Sequence, residues 1–141
     1  MMRLIRRIFL LLIGSSAIRH GTLPTSADAV TAAAVTLTSA AVAWTWGVWV
    51  TVAATVGTAD VKLLAITLEN FTGAAAQGEV EVGTGLALAE VAVMRIQSTV
   101  GGLYFPNGTL IPAGTRIAAR YRTSTGAADG VDVKLNVITG F

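Results

Sequence analysis

Two glutamates and three arginines are the residues of this sequence whose types and spacing could support chemistry. Glu79 and Glu81 alternate with valine in the stretch "EVEV", so a β-strand would present both carboxyls on one face. A glycosidase needs its two carboxyl groups on opposite sides of a cleft, where one donates a proton and the other attacks the sugar or activates water. Because these two lie side by side on one strand, we expect no catalysis from them.

The three arginines lie in the stretch "TRIAARYR", again at alternating positions. A strand here would turn its isoleucine, its second alanine and its tyrosine into a core, and would place Arg116, Arg120 and Arg122 on the opposite face. Two interpretations remain open. The arginines form a solvated face and pair with Asp132 on the next strand or with the two glutamates, or they contact carboxylates of another subunit.

Other motifs for catalysis or cofactor binding are incomplete. The "GTG" at residues 83–85 is followed by Leu88 and by no amphipathic helix, so the dinucleotide fingerprint fails. Asp129 and Asp132 are too few to supply the ligands that calcium requires. The chain has no cysteine, and its single histidine, His20, cannot by itself build a metal cluster or a triad. We therefore expect no catalytic residue, no metal and no cofactor.

The composition predicts one domain that buries much of its exterior. The chain has 141 residues, of which 53% are hydrophobic and only 13% are charged, about half the usual charged share. A soluble monomer of this size would have too few charged residues to cover its surface. The composition therefore indicates that either a membrane or other protein subunits bury part of the exterior. We favour the assembly, with no stable membrane insertion, because only the first 13 residues approach the length of a spanning segment.

Charge is distributed unevenly along the chain. Four of the ten basic residues precede Asp28, the first acidic residue, which leaves six basic against eight acidic residues in the remainder. A basic arm on a mildly acidic body suits docking onto an acidic surface. We expect no direct binding to nucleic acid, because the body lacks a basic face and has too few aromatic residues among its arginines.

Residues 1–40 are interpreted as an extended or partly helical arm with a linker. On a helix, Arg3, Arg6 and Arg7 would share one narrow face, and apolar residues such as Phe9 and Leu12 would cover the rest. We interpret these residues as an anchor onto a partner protein or a neighbouring subunit. A secretory signal peptide, a membrane-surface anchor and a core helix are the alternatives.

Residues 41–141 contain a series of short alternating segments separated by turn signals, which predicts an all-β domain. The pattern indicates an antiparallel β-sandwich with jelly-roll topology. In "VAWTWGVWVTV" the alternation places Trp44 and Trp46 on one face together with valines, so we expect both rings in the core. An aromatic sugar-binding platform is the alternative.

The phrases "GEVEVGTGLALAEV" and "LYFPNGTLIPAGTRIAAR" resemble a recurrent set of small structural proteins of tailed bacteriophages. Those proteins share an early tryptophan strand ("GVWV" here), a "GTG" followed soon by a glutamate (Glu90 here), and a phrase of the form "FP … IPAGTRIAAR". The resemblance covers residues 47–121 and leaves out the arm. This chain departs from the pattern between the first proline and "IPAG", and in its leucine-rich segment after "GTG".

The resemblance implies a non-enzymatic component of a virion. We expect a decoration or cement protein on the capsid surface that binds the major capsid protein or other virion proteins and forms a homo-oligomer, with a trimer as the expected state. A neck or tail component would carry the same features. A receptor- or glycan-binding jelly roll, using Trp49 or Tyr104, and a small glycosidase using the glutamate pair are the other two classes.

Overall fold

The computed structural model describes residues 19–24, 34–73, 77–98, 102–104 and 108–141. Within these residues the protein consists of strands and turns, without a helix. The strands are β1 Arg19–Leu23, β2 Val35–Thr38, β3 Val50–Ala53, β4 Val61–Thr72, β5 Gly78–Thr84, β6 Val91–Ser98, β7 Gly102–Tyr104, β8 Thr109–Ile111, β9 Ile117–Thr123 and β10 Gly130–Thr139. They form two antiparallel sheets, which confirms the expected all-β, antiparallel sandwich.

The two sheets have a simple strand order once short edge strands are grouped. In the first sheet, β10 and β4 are central; β1 and β2 pair with successive parts of β10, and β7 and β8 with parts of β4. The second sheet has the order β3-β9-β5-β6. Counting β1 with β2 and β7 with β8, each sheet has four strand positions, and the chain crosses repeatedly between the sheets.

The core lies between the inward faces of these strands, as the period-two alternation predicts. On β10 the predicted inward residues are all buried, namely Val131, Val133, Leu135 and Val137. On β5 the valines of "EVEV" are buried in the same core. Each fully buried side chain of this size stabilises the fold by about 1.5–3 kcal/mol.

The first sheet includes strands from the segment that the sequence analysis assigned to the arm and linker. β1 and β2 both pair with β10, and Leu23 and Leu37 belong to the core. The extended segment predicted to begin at Val35 corresponds to β2. The predicted helical arm, with Arg3, Arg6, Arg7, Phe9 and Leu12, lies outside the described residues.

The tryptophan-rich segment does not form the regular strand that its alternation predicts. Only its end, β3, pairs as a strand. Residues 42–49, the tryptophan strap, run beside β9 with three strap residues for every two residues of β9. The Trp44 N–H donates to the Thr123 carbonyl at 2.7 Å and the Gly47 N–H donates to the Tyr121 carbonyl at 2.8 Å. A repeat of three cannot keep alternate side chains on one face.

The expectation that Trp44 and Trp46 lie in the core is therefore wrong. Trp44 is 44% exposed, Trp46 is half-buried, and Val48 on the predicted core face is 78% exposed. The strap backbone runs along the edge of β9, and its tryptophan side chains lie over the outer surface of the second sheet, where they stack on arginines. Alternating residue types predict which side chains face the core only where the backbone pairs with its neighbour in regular register.

Gly47 allows the strap to pass close to β2. A Cβ atom at this position would lie 1.9 Å from the Thr38 carbonyl oxygen, well inside any contact between real atoms. We expect Gly47→Ala to lower the free energy of unfolding by about 1–3 kcal/mol, because the backbone of the strap or of β2 must shift. Urea denaturation followed by tryptophan fluorescence measures this change.

Gly21→Ala is the matched control for this prediction. A Cβ atom at Gly21 would meet Val137 at 3.7 Å, which is an ordinary van der Waals contact. We expect little change in stability from that substitution. Equal losses in the two variants would show that the close approach at Gly47 does not limit the strap.

Candidate functional site: the arginine–tryptophan face

The two glutamates of "EVEV" lie on the outer face of β5, a central strand of the second sheet. Glu79 is 7% exposed and Glu81 is 1% exposed, although both point away from the sandwich core. β9 pairs with one edge of β5 and β6 pairs with the other. Carboxylates buried to this degree need partners, since an unpaired buried charge is strongly destabilising.

Glu81 is held between two arginines from the neighbouring strands. Its Oε2 accepts from Arg120 Nε at 2.6 Å and lies 2.5 Å from Arg120 Nη2 in the same ion pair. Its Oε1 accepts from Arg95 Nη2 at 2.7 Å and from Arg95 Nε at 3.3 Å. Each arginine directs two nitrogens at one carboxylate oxygen, and the two ion pairs link β9, β5 and β6 across the sheet.

Glu79 repeats the arrangement one step along the strand with a neutral partner on one side. Its Oε2 accepts from Arg122 Nε at 2.7 Å and lies 2.5 Å from Arg122 Nη2 in the same ion pair. Its Oε1 accepts from the Gln97 amide at 3.3 Å. All four carboxylate oxygens of the glutamate pair therefore have donors from this chain.

The tryptophan strap covers these ion pairs from outside. The Trp46 ring centroid lies 4.5 Å from the guanidinium carbon of Arg122, 4.8 Å from that of Arg120 and 5.2 Å from that of Arg95. Each such contact stabilises by about 0.5–2 kcal/mol, more where water is excluded. One indole thus caps three cations that have already paired with carboxylates.

The other two tryptophans flank this central ring. Trp49 lies 4.3 Å from the Arg120 guanidinium carbon, and a Cβ atom on Gly83 would come within 2.7 Å of its ring. Trp44 lies 5.6 Å from the Arg122 guanidinium carbon. Glycine at position 83 leaves the space in which the Trp49 ring is seated.

Arg116 lies just before β9 and makes a separate connection. It donates to Glu90 Oε1 at 2.7 Å, to the Thr51 hydroxyl at 2.9 Å and to the Gly85 carbonyl at 3.3 Å. The Glu90 side chain is only 3% exposed. This ion pair fixes the connection between β5 and β6 to the start of β9.

The expectation that the arginines pair with the glutamates is confirmed for Arg120 and Arg122. The alternative prediction, that the arginines pair with Asp132, is wrong. Asp132 lies on β10 in the other sheet, where its carboxylate accepts hydrogen bonds from Thr36 and Asn70. The predicted role of the arginines in contacting another subunit stays a prediction. Their side chains are 17–26% exposed.

The state of Glu81 bears on what this face can do chemically. Burial raises the pKa of Glu81, but the hydrogen bonds and charges of Arg95 and Arg120 outweigh it and bring the pKa below its ordinary value. The Glu81 carboxyl is therefore ionised near neutral pH and is unsuited to donate a proton to a leaving group. The arrangement instead joins three strands and the strap.

Asp129 and Asp132, the weak cation candidates, belong to separate networks. Asp129 is 1% exposed and accepts from the hydroxyls of Thr123, at 2.9 Å, and Thr125. Burial raises the pKa of Tyr121, and the nearby Asp129 carboxylate raises it further. The Tyr121 ring lies in the core, as expected from the sequence. Among the described residues, no three histidine, cysteine, aspartate or glutamate side chains are grouped to hold a metal ion.

No protein-family model matches this chain, and no curated protein is significantly similar to it. The described residues contain no helix with the length and apolar character needed to cross a membrane. The geometry of the arginine–tryptophan face, together with the surface around it, is therefore the basis for any statement about function.

Four members of this face were not foreseen from the sequence: Arg95, Gln97, Trp44 and Trp46. Arg95 and Gln97 are spaced by two in "RIQ", as Glu79 and Glu81 are in "EVEV", and they are directly opposite those glutamates. A hairpin aligned on the two spacings would have found them. The position of Trp46 depends on the irregular pairing of the strap, for which the sequence carries no comparable signal.

We expect Glu81→Gln to lower the free energy of unfolding by about 2 kcal/mol, because two arginines lose their carboxylate while solvent still reaches them in part. Urea denaturation measures the loss. Glu69→Gln is the matched control, since the pair of Glu69 with Lys134 is more exposed and should contribute less than about 1 kcal/mol. A loss from Glu81→Gln no larger than that control would contradict the central role of Glu81.

Stability should also fall in acid through the same residue. The pKa of Glu81 is below its ordinary value of 4.5 in the folded protein, so the unfolded chain binds more protons in the range between the two values. The contribution is complete above pH 4.5 and is lost as the pH falls through the folded value. Glu81→Gln should flatten this dependence in unfolding titrations at several pH values; an unchanged slope would assign the effect to other carboxyls.

Proposed function

We propose that this protein is a non-enzymatic structural component of a bacteriophage virion, acting as a decoration or cement protein on the capsid surface. The observation that carries the proposal is the character of the surface. The carboxylates of the candidate site are occupied by arginines of the same chain, whereas large apolar side chains are exposed. Such a surface suits burial against other proteins better than turnover of a substrate.

The strand order supports the same class of protein. We interpret the two groups of four strand positions, with the chain crossing between sheets, as the jelly-roll topology expected from the sequence. Phage structural proteins of the kind this sequence resembles are small β-sandwich modules. The proposed partners are the major capsid protein or other virion proteins, and further copies of this chain as a trimer.

Glycan binding is the alternative, and Trp44 is the side chain in its favour. Trp44 is 44% exposed, which would permit stacking on a sugar. However, Trp46 and Trp49 stack on guanidinium groups of the same chain, so they do not form an open aromatic platform.

A neck or tail position is compatible with the same arguments for a virion protein. We favour the capsid because a compact module with an arm suits a clamp between shell subunits.

Density-gradient fractionation of phage particles from a culture that produces this protein tests the proposal. We expect the protein to sediment with DNA-filled particles after nuclease treatment, in many copies per particle by quantitative mass spectrometry. Immunogold labelling should then mark the capsid rather than the tail. Recovery of the protein only in soluble fractions would contradict a virion role.

The same fractions test the predicted anchoring by the arm. Removing residues 1–18 keeps β1, which pairs with β10, whereas a cut that reached into β1 would also weaken the sandwich. We expect the shortened protein to remain folded by circular dichroism and to lose occupancy on the particle. Undiminished occupancy would remove the anchoring role from the arm while leaving the virion assignment in place.

A further inference from the structure

The connection between β5 and β6 exposes a contiguous group of apolar side chains. Residues 85–93, the corner hairpin, carry four large exposed side chains with exposed fractions of 41–101%, namely Leu86, Leu88, Val91 and Val93. The alanines at positions 87, 89 and 92 are exposed as well. Clustered apolar exposure of this kind marks a contact site more strongly than scattered exposed residues do.

The corner hairpin is held firmly in spite of its exposure. Its Gly85 N–H donates to the Arg116 carbonyl at 3.3 Å, and Arg116 in turn pairs with the buried Glu90 side chain. The Ala89 N–H donates to the Leu86 carbonyl at 3.1 Å. Leu88 has a φ of 67°, an unusual conformation for leucine that leaves its side chain fully exposed. Preorganised apolar side chains reduce the entropy lost when a partner binds.

The start of β1, where residues 1–18 join the sandwich, lies at the same end of the sandwich as the corner hairpin. In the first sheet the start of β1, the end of β10 and the start of β4 lie together. In the second sheet the start of β9, the end of β5 and the start of β6 lie together. The short connection 112–116 joins the end of β8, opposite the start of β4, to the start of β9. Residues 1–18 therefore enter β1 at the end that carries the corner hairpin.

The chemistry of residues 4–13 matches this surface. Eight of these ten residues are leucine, isoleucine or phenylalanine, and the remaining two are arginines. Residues 14–18, "GSSAI", are mostly small and connect this apolar segment to β1. An apolar segment and an exposed apolar hairpin stabilise each other by removing both from water.

Reach favours a second copy as the source of the segment. β2 packs beside β3 and β9, so β1 and the corner hairpin lie at opposite edges of the sandwich. Three strand spacings and one sheet separation put these corners about 17 Å apart. Six Cα–Cα steps lead from Arg19 to Ile13 and span about 20–22 Å when fully extended, so the whole segment can lie on the hairpin of its own chain only if this connection is nearly straight and passes over the intervening loops. A segment from another copy is free of this limit.

We propose that residues 4–13 of one copy dock on the corner hairpin of a second copy, which links the copies by exchange of their N-terminal segments. The inference rests on the proposed assembly role and specifies one of its contacts. It assigns the partner of the exposed hairpin as this same protein, through apolar burial rather than through the arginine–tryptophan face.

Disulfide trapping in the full-length purified protein tests the contact, because the chain has no native cysteine. Leu12→Cys protein is mixed with Val91→Cys protein and oxidised, and the mixed dimer is identified by mass spectrometry. We expect several-fold more mixed dimer than with Phe71→Cys protein. Phe71 is also exposed but lies near the opposite end of β4, which makes it the matched control.

Two further measurements complete the test. A chain that carries both Leu12→Cys and Val91→Cys should form linked copies, and a purely internal disulfide would overturn the proposal by assigning the hairpin to the segment of its own chain. Leu86→Ser with Leu88→Ser should lower the mass in light scattering towards that of a monomer. No trapping above the Phe71→Cys control would also overturn the proposal. These assays use purified protein without phage particles. The contact between copies can therefore fail while the virion role holds in the gradient experiment, or the reverse.

Discussion

The outer face of the second sheet depends on the neutralisation of two buried carboxylates. Glu81 has no solvent to balance its charge, and it is stable there because Arg95 and Arg120 approach it from both neighbouring strands. Backbone pairing aligns β9, β5 and β6 and ties the strap to β9, but it does not by itself place the tryptophan rings over the ion pairs. The guanidinium groups connect the carboxylates to the tryptophan rings, since their edges bind carboxylates and their faces stack on indoles.

This double use of arginine explains why tryptophan occupies the surface of the protein. An indole in the core would need a partner for its N–H and a large cavity. On the outer face, Trp46 covers three charges that are already paired and shields them from water, which strengthens the ion pairs beneath it.

The sequence predicted those parts of the fold that obey a regular period. The inward residues of β10, the glutamate face of β5 and the pairing of Arg120 and Arg122 all follow from alternation and simple cross-strand geometry. The strap does not, because three of its residues match two of β9, and a binary pattern has no means of encoding that ratio. Asp132 was misplaced for a related reason: neighbours in sequence order, β9 and β10, belong to different sheets.

The register break in β6 has a consequence for the protein at high local concentration. Among the described residues, β6 has a strand partner on one edge only, and its pairing with β5 shifts between Val82 and Gly83, so that Val93 is left over. A long flat edge would accept further strands and grow into fibrils. The bulge limits the regular edge to the five residues after Val93 and increases its twist, so that many copies can be crowded together without their sheets merging.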